Sequence, residues 1–94
     1  MIWTERAEAD LEEISTFTEE RWGAAQADRY LEGLNTAIEN DENRRLRARS
    51  IDFVYSGVFR LRYVRHYFYF RHVETGIEVL RVVHDSMDEA LHLP

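Results

Sequence analysis

The stretch Ile77-Glu78-Val79-Leu80-Arg81-Val82-Val83-His84-Asp85-Ser86-Met87-Asp88 decides the reading of this chain. From Ile77 to His84 it is apolar on both faces, as in a central strand covered on one side and partly covered on the other. Arg81 sits in its middle and His84 at its end, and a polar break leads to Met87 and Asp88. Working outward, Glu74-Thr75-Gly76 supplies a hairpin turn with glycine at the permissive position. Before it, His66 to Val73 carries Tyr67-Phe68-Tyr69-Phe70, aromatic on both faces. Val64-Arg65 is a poor turn signal, yet it is the one candidate break before that run. From Val58 to Val64, Phe59, Leu61 and Tyr63 alternate with Arg60 and Arg62, the period of a half-buried strand. Strands joined by short turns predict an antiparallel sheet.

Upstream the period changes to that of a helix. Ala7, Leu11, Ile14 and Phe17 form one apolar stripe, with Thr4 as N-cap and Glu5 and Glu8 in the first turn. Gly23 reads as its stop. Ala27, Tyr30, Leu31, Leu34 and Ile38 define a second stripe over about Ala24 to Glu39. The pair is a helical hairpin. Asn40 to Asp52 has no apolar periodicity and reads as a connecting loop. Met1 to Trp3 could pair as an edge strand. The fold class is therefore α+β, an N-terminal α-helical hairpin packed on one face of a small antiparallel β-sheet, with a short C-terminal tail. Leu11, Ile14, Leu34, Ile38, Leu80 and Val82 are expected at the contact.

Ninety-four residues make one domain, residues 1–94. Without cysteine there is no disulfide framework or thiolate metal site, which fits a reducing cytoplasm. No apolar run is long enough to predict a membrane span. The net charge of −6 argues against direct nucleic-acid binding by the chain alone. Its distribution is uneven: residues 1–43 hold twelve acids and three arginines, residues 44–94 nine arginines and six acids. Such asymmetry marks two functional faces or an internal complement. Every basic residue other than histidine is Arg, whose planar fork suits carboxylate and phosphate; a GC-rich genome would give the same bias.

Arg60, Arg62 and Arg81 fall on strands, with His84 at a strand end. Converging on one face, they would bind phosphate or carboxylate, and the imidazole would add proton transfer. Alternatively the arginines pair with local acids such as Glu78 or Asp88. His66, His72, His84 and His92 match no ligand spacing, so no metal and no cofactor are expected. Trp22-Gly23 reads as a packing anchor and a helix stop.

Several segments resemble the ParE branch of the RelE/ParE toxin superfamily. They are Ala9-Asp10-Leu11-Glu12-Glu13-Ile14, Trp22-Gly23 with Gln26-Ala27 and Tyr30-Leu31, Gly57-Val58-Phe59-Arg60, His66 to Arg71, and Ile77 to His84 with Met87-Asp88. The resemblance implies a toxin of a type II toxin–antitoxin pair. It implies DNA gyrase, or topoisomerase IV, as target, and a ParD-like antitoxin that wraps the toxin with an extended segment. Relatives of the RelE type are ribosome-dependent mRNA endoribonucleases, often using lysines and a tyrosine near the C-terminus. This chain has no lysine and no tyrosine after Tyr69, which favours a gyrase-binding toxin over an enzyme. The nuclease alternative would use Arg60, Arg81 and His84. Target-binding candidates are Arg60, Arg62, Arg81, His84, Met87 and Asp88. Antitoxin-binding candidates are Leu11, Phe17, Trp22, Tyr30, Arg60 and Arg71. Ser86 stands where arginine is common in the family.

Overall fold

The computed structural model describes residues 1–86. Strand β1 (Ile2–Trp3) leads into helix α1 (Glu5–Trp22), α2 (Ala24–Glu39) and α3 (Asp41–Arg47). Strands β2 (Arg49–Ser50), β3 (Val58–Tyr63), β4 (His66–Val73) and β5 (Gly76–His84) follow. The five-stranded sheet has the order β1-β5-β4-β3-β2, antiparallel except for β1, which runs parallel to β5. Among the described residues no helix is long and apolar enough to cross a membrane.

The helix ends follow from local chemistry. The Thr4 hydroxyl accepts from the Ala7 N–H at 3.0 Å and starts α1. Gly23, at φ 89°, ends α1 and begins α2, a backbone conformation that a side chain would strain. The predicted loop from Asn40 to Asp52 is a correction: it contains α3 and β2. Asn40 caps α3 by accepting from the Asn43 N–H at 2.8 Å. Asp41 and Glu42 lie in its first turn and Arg44, Arg45 and Arg47 in its last, matching the helix dipole. This helix buries no residue, so it had no apolar stripe to reveal it.

The main core lies between the helices and the sheet. Ala7, Ile14, Leu34 and Ile38 pack on Leu61, Phe68, Phe70, Ile77, Val79 and Val82, with Leu11 half-buried against them. A smaller cluster of Ile51, Val58, Tyr69 and Val83 occupies the other sheet face. Leu80 packs with this second cluster, not at the hairpin contact as expected. The reason is a bulge. Tyr69 pairs with Arg81 but Phe70 pairs with Val79, so Leu80 is an extra residue in β5. Trp22 is also a correction: it is 70% exposed and anchors no packing.

Candidate interaction site

The bulge in β5 organises the end of the sheet. It releases main-chain groups from the ladder, and α1 satisfies them. The Thr4 hydroxyl donates to the Leu80 carbonyl at 2.9 Å. The Asp10 carboxylate accepts from the Val82 N–H at 2.9 Å. The same carboxylate accepts from Arg81 Nε at 2.8 Å and Nη2 at 3.0 Å, a bidentate pair. Asp10 is 6% exposed and Arg81 8%. Arg81 is thus committed inside the protein, tying helix to sheet.

Beyond this pair, a groove of about 400 Å³ opens between α1 and the ends of β4 and β5. Glu13 and Phe17 line one wall, His66, Val83 and His84 the other. His66 and His84 are cross-strand partners with ring centroids 5.4 Å apart. The Tyr30 hydroxyl lies 2.7 Å from His66 Nδ1. Burial, then the neighbouring His84 and Arg65 charges, lower the His66 pKa to about 4, against a smaller opposing pull from Asp85. Burial chiefly raises the Tyr30 hydroxyl above its usual value. Between a protonated hydroxyl and a neutral imidazole, the tautomer of the ring sets which of the two donates. The arrangement holds an uncharged imidazole in a fixed orientation beside a second one.

Asp85 closes this end. Its carboxylate pairs with Arg62 at 2.7 Å and Arg65 at 3.0 Å, and His84 Nδ1 lies 3.3 Å away. Desolvation works against ionisation, but the Arg65 hydrogen bond and the charges of Arg65, His84 and Arg62 outweigh it and lower the Asp85 pKa.

The other sequence candidates are dispersed. Arg60 and Arg62 lie on the face away from the helices, their guanidinium carbons 4.4 Å and 5.5 Å from the Tyr67 ring centroid. Arg60 and Arg81 share one row across Tyr69, but Arg81 turns to Asp10 on the helix side. Arg71 pairs with Glu78 at 2.6 Å. Phe17 is 57% exposed, beneath the Arg21 guanidinium. Leu11 and Tyr30 are half-buried. Met87 and Asp88 lie outside the described residues. Asp10, His66 and Asp85 were missed as partners. Asp10 on the buried side of an amphipathic helix was a readable signal, because a carboxylate there requires a partner.

A family model described as the ParE toxin of the type II toxin–antitoxin system parDE matches residues 1–89. Toxin ParE1 of Caulobacter vibrioides is 34% identical over 88 residues, covering 94% of this chain and 91% of that protein. Toxin ParE1 of Mycobacterium tuberculosis is 37% identical over 83 residues, 87% of this chain and 85% of that protein. With a helical hairpin on a mostly antiparallel sheet and a match over nearly its whole length, the chain belongs to the ParE toxin family of type II toxin–antitoxin systems.

Proposed function

We propose that this toxin acts in the cytoplasm by binding DNA gyrase, or its relative topoisomerase IV, without covalent chemistry of its own, and that a ParD-like antitoxin neutralises it. The observation that carries the reading is the position of the arginines. A phosphate-cleaving site needs cations and an acid–base group around one point. Arg81 lines the His84 groove, but its guanidinium is buried against Asp10, and Arg60 lies over Tyr67 on the opposite sheet face. What remains outward is a surface of apolar and charged groups: Phe17 and Trp22 on α1, exposed Arg62 and half-buried His84 at the sheet end. Such a surface suits binding. Phe17 and Trp22 are the antitoxin-facing candidates; His84 and Arg62, with Met87 and Asp88 following in sequence, are the target-facing ones.

The test is a supercoiling assay with purified gyrase, with cleaved-DNA complexes measured alongside. Inhibition together with accumulated cleaved DNA is expected. Unimpaired supercoiling by gyrase together with unimpaired decatenation by topoisomerase IV at saturating toxin would overturn the proposal.

One observation favours the alternative, a ribosome-dependent mRNA endoribonuclease: the neutral, hydrogen-bonded His66 beside His84. Under that reading His84→Ala loses roughly 10²–10⁴-fold in mRNA cleavage. Under the gyrase reading, neither the parent nor the folded His84→Ala variant cleaves mRNA, and growth arrest follows gyrase inhibition in both.

A further inference from the structure

The register of β4 against β5 sets His66 opposite His84, and both rings line the groove between α1 and the sheet end. Linear spacing conceals this pair, because strand pairing creates it. Each ring has one nitrogen engaged locally. His66 Nδ1 meets the Tyr30 hydroxyl at 2.7 Å. His84 Nδ1 meets the Ser86 hydroxyl at 2.8 Å, with Asp85 Oδ1 3.3 Å away. Among the described residues neither Nε2 has a hydrogen-bond partner. A histidine that ligates a metal has the same division of labour. An oxygen held by one ring nitrogen fixes the tautomer and the ring orientation, and the other nitrogen takes the ion.

The separation fits as well. An imidazole nitrogen bonds Zn²⁺ at about 2.0–2.1 Å, so two rings on one tetrahedral ion have centroids roughly 5 Å apart. The His66 and His84 centroids lie 5.4 Å apart, with the ring planes at 88°. His66 is also neutral at ordinary pH, its pKa lowered to about 4, so no proton has to leave before it ligates.

Nearby charges are arranged so that a cation can enter. Arg81 is closed against Asp10, and Arg62 and Arg65 are held by Asp85. Glu13, on the α1 wall of the groove, has no ion-pair partner among the described residues. No three histidine or acidic side chains among the described residues cluster into a complete ligand set. The protein therefore supplies two nitrogens, and water fills the other positions. Two imidazoles without an oxygen cage select the borderline transition ions over Mg²⁺ and Ca²⁺.

We propose that His66 and His84 form a two-histidine site for a divalent transition ion of the Zn²⁺ class, bound through both Nε2 atoms and clipping the ends of β4 and β5 together. Tyr30 is a positioning residue that acts through His66. His84 is one of the target-facing candidates, so on the reading above a bound ion would change the charge that surface presents. The site itself does not depend on that reading.

The experiment is calorimetric titration of the full chain alone at neutral pH with ZnCl₂, and separately with MgCl₂. One Zn²⁺ per chain and no Mg²⁺ response are expected. His66→Gln and His84→Gln should each lose the Zn²⁺ response, with circular dichroism spectra unchanged, whereas His72→Gln and His92→Gln should keep it. Tyr30→Phe should weaken binding by about tenfold or more while the Co²⁺-loaded protein keeps its visible absorption spectrum. In the unaltered chain, Zn²⁺ should shift the NMR signals of the His66 and His84 rings before those of any other residue. No Zn²⁺ response in the unaltered chain overturns the proposal. A response that survives both His66→Gln and His84→Gln, or that disappears with His72→Gln or His92→Gln instead, overturns the assignment of the site. Each of these results leaves the toxin reading standing, because no target or antitoxin enters the measurement.

Discussion

Asp10 and Arg81 illustrate how one side chain can hold several elements. Three hydrogen bonds converge on the carboxylate, from Arg81 Nε, Arg81 Nη2 and the Val82 N–H. Arg81→Ala leaves that charge buried and should cost about 3–5 kcal/mol, read as a lower urea midpoint. Asp10→Asn keeps an acceptor for Val82 and should cost less than Asp10→Ala. Equal losses in the two Asp10 variants would show that the Val82 bond contributes nothing. Gly33 makes a different demand. A Cβ there would overlap the Tyr63 hydroxyl and ring tip, and Tyr63 is itself packed against Tyr30. Gly33→Ala should therefore cost about 1–3 kcal/mol through overpacking, and adding Tyr63→Phe should recover part of it. A double-mutant cycle with no coupling would remove this explanation. Asp10 on the buried side of α1 signalled that a partner was needed but not which one, and the Gly33–Tyr63 contact left no signal in the sequence. Arg81 was weighed as a target or tail contact because its partner lies 71 residues away, and nothing in residue order reports such an approach.

At the scale of elements, legibility followed burial. The helices α1 and α2 bury stripes, and their predicted spans match those observed. Likewise β4 spans His66–Val73 as predicted. By contrast, α3 buries no residue and is held by its end chemistry and by hydrogen bonds from Asn43 and Arg44 to the Ala37 and Ile38 carbonyls of α2. Its signals were the Asn40 cap, the acids that follow and the arginines at its end, which periodicity does not register. Asn40→Ala should destabilise the chain by about 0.5–2 kcal/mol and fray α3 first, visible as faster amide exchange at Asn43 and Arg44. The β4–β5 pairing shows the complementary failure. Counting from Val73 opposite Gly76 without a bulge, His66 would face Val83. The extra residue Leu80 shifts the register and brings His66 opposite His84. The histidine pair and the misplaced Leu80 are thus one error with one cause. The turn at Val64 is legible only as an anomaly. It adopts φ 51°, which is unfavourable for a β-branched side chain. Val64→Gly should raise the thermal midpoint, and an unchanged or lower midpoint would show that the relief is smaller than glycine's unfolded-state cost.

For the molecule as a whole, His66 links fold to pH. Its pKa falls from 6.5 in the ordinary case to about 4 in the folded protein. The unfolded chain therefore binds this proton more readily, and stability contributed by neutral His66 declines as pH falls from about 6.5 towards 4. The depressed Asp85 carboxyl acts with the same sign at lower pH. Thermal midpoints measured from pH 7 to pH 4 should fall, and His66→Gln should flatten the upper part of that decline. An identical slope in the variant would show that other groups set it. The charge asymmetry read from composition has a spatial counterpart in the arginines gathered around the β3 edge. Which edge they border was not legible, because it depends on how far β2 extends.

The parallel pairing of β1 with β5 has a consequence in time. Among the described residues β1, which leaves the ribosome before the other strands, pairs only with the last of them, β5, at Glu78 and Val79. Thr4 and Asp10 likewise wait for residues 80–82. Contacts of this span close late, because the chain between them must first be ordered. During synthesis α1 and α2 can form, but their sheet-facing stripe stays uncovered until β5 emerges. Translation therefore exposes a nascent chain with an open apolar groove, able to meet a binding partner before the sheet is complete.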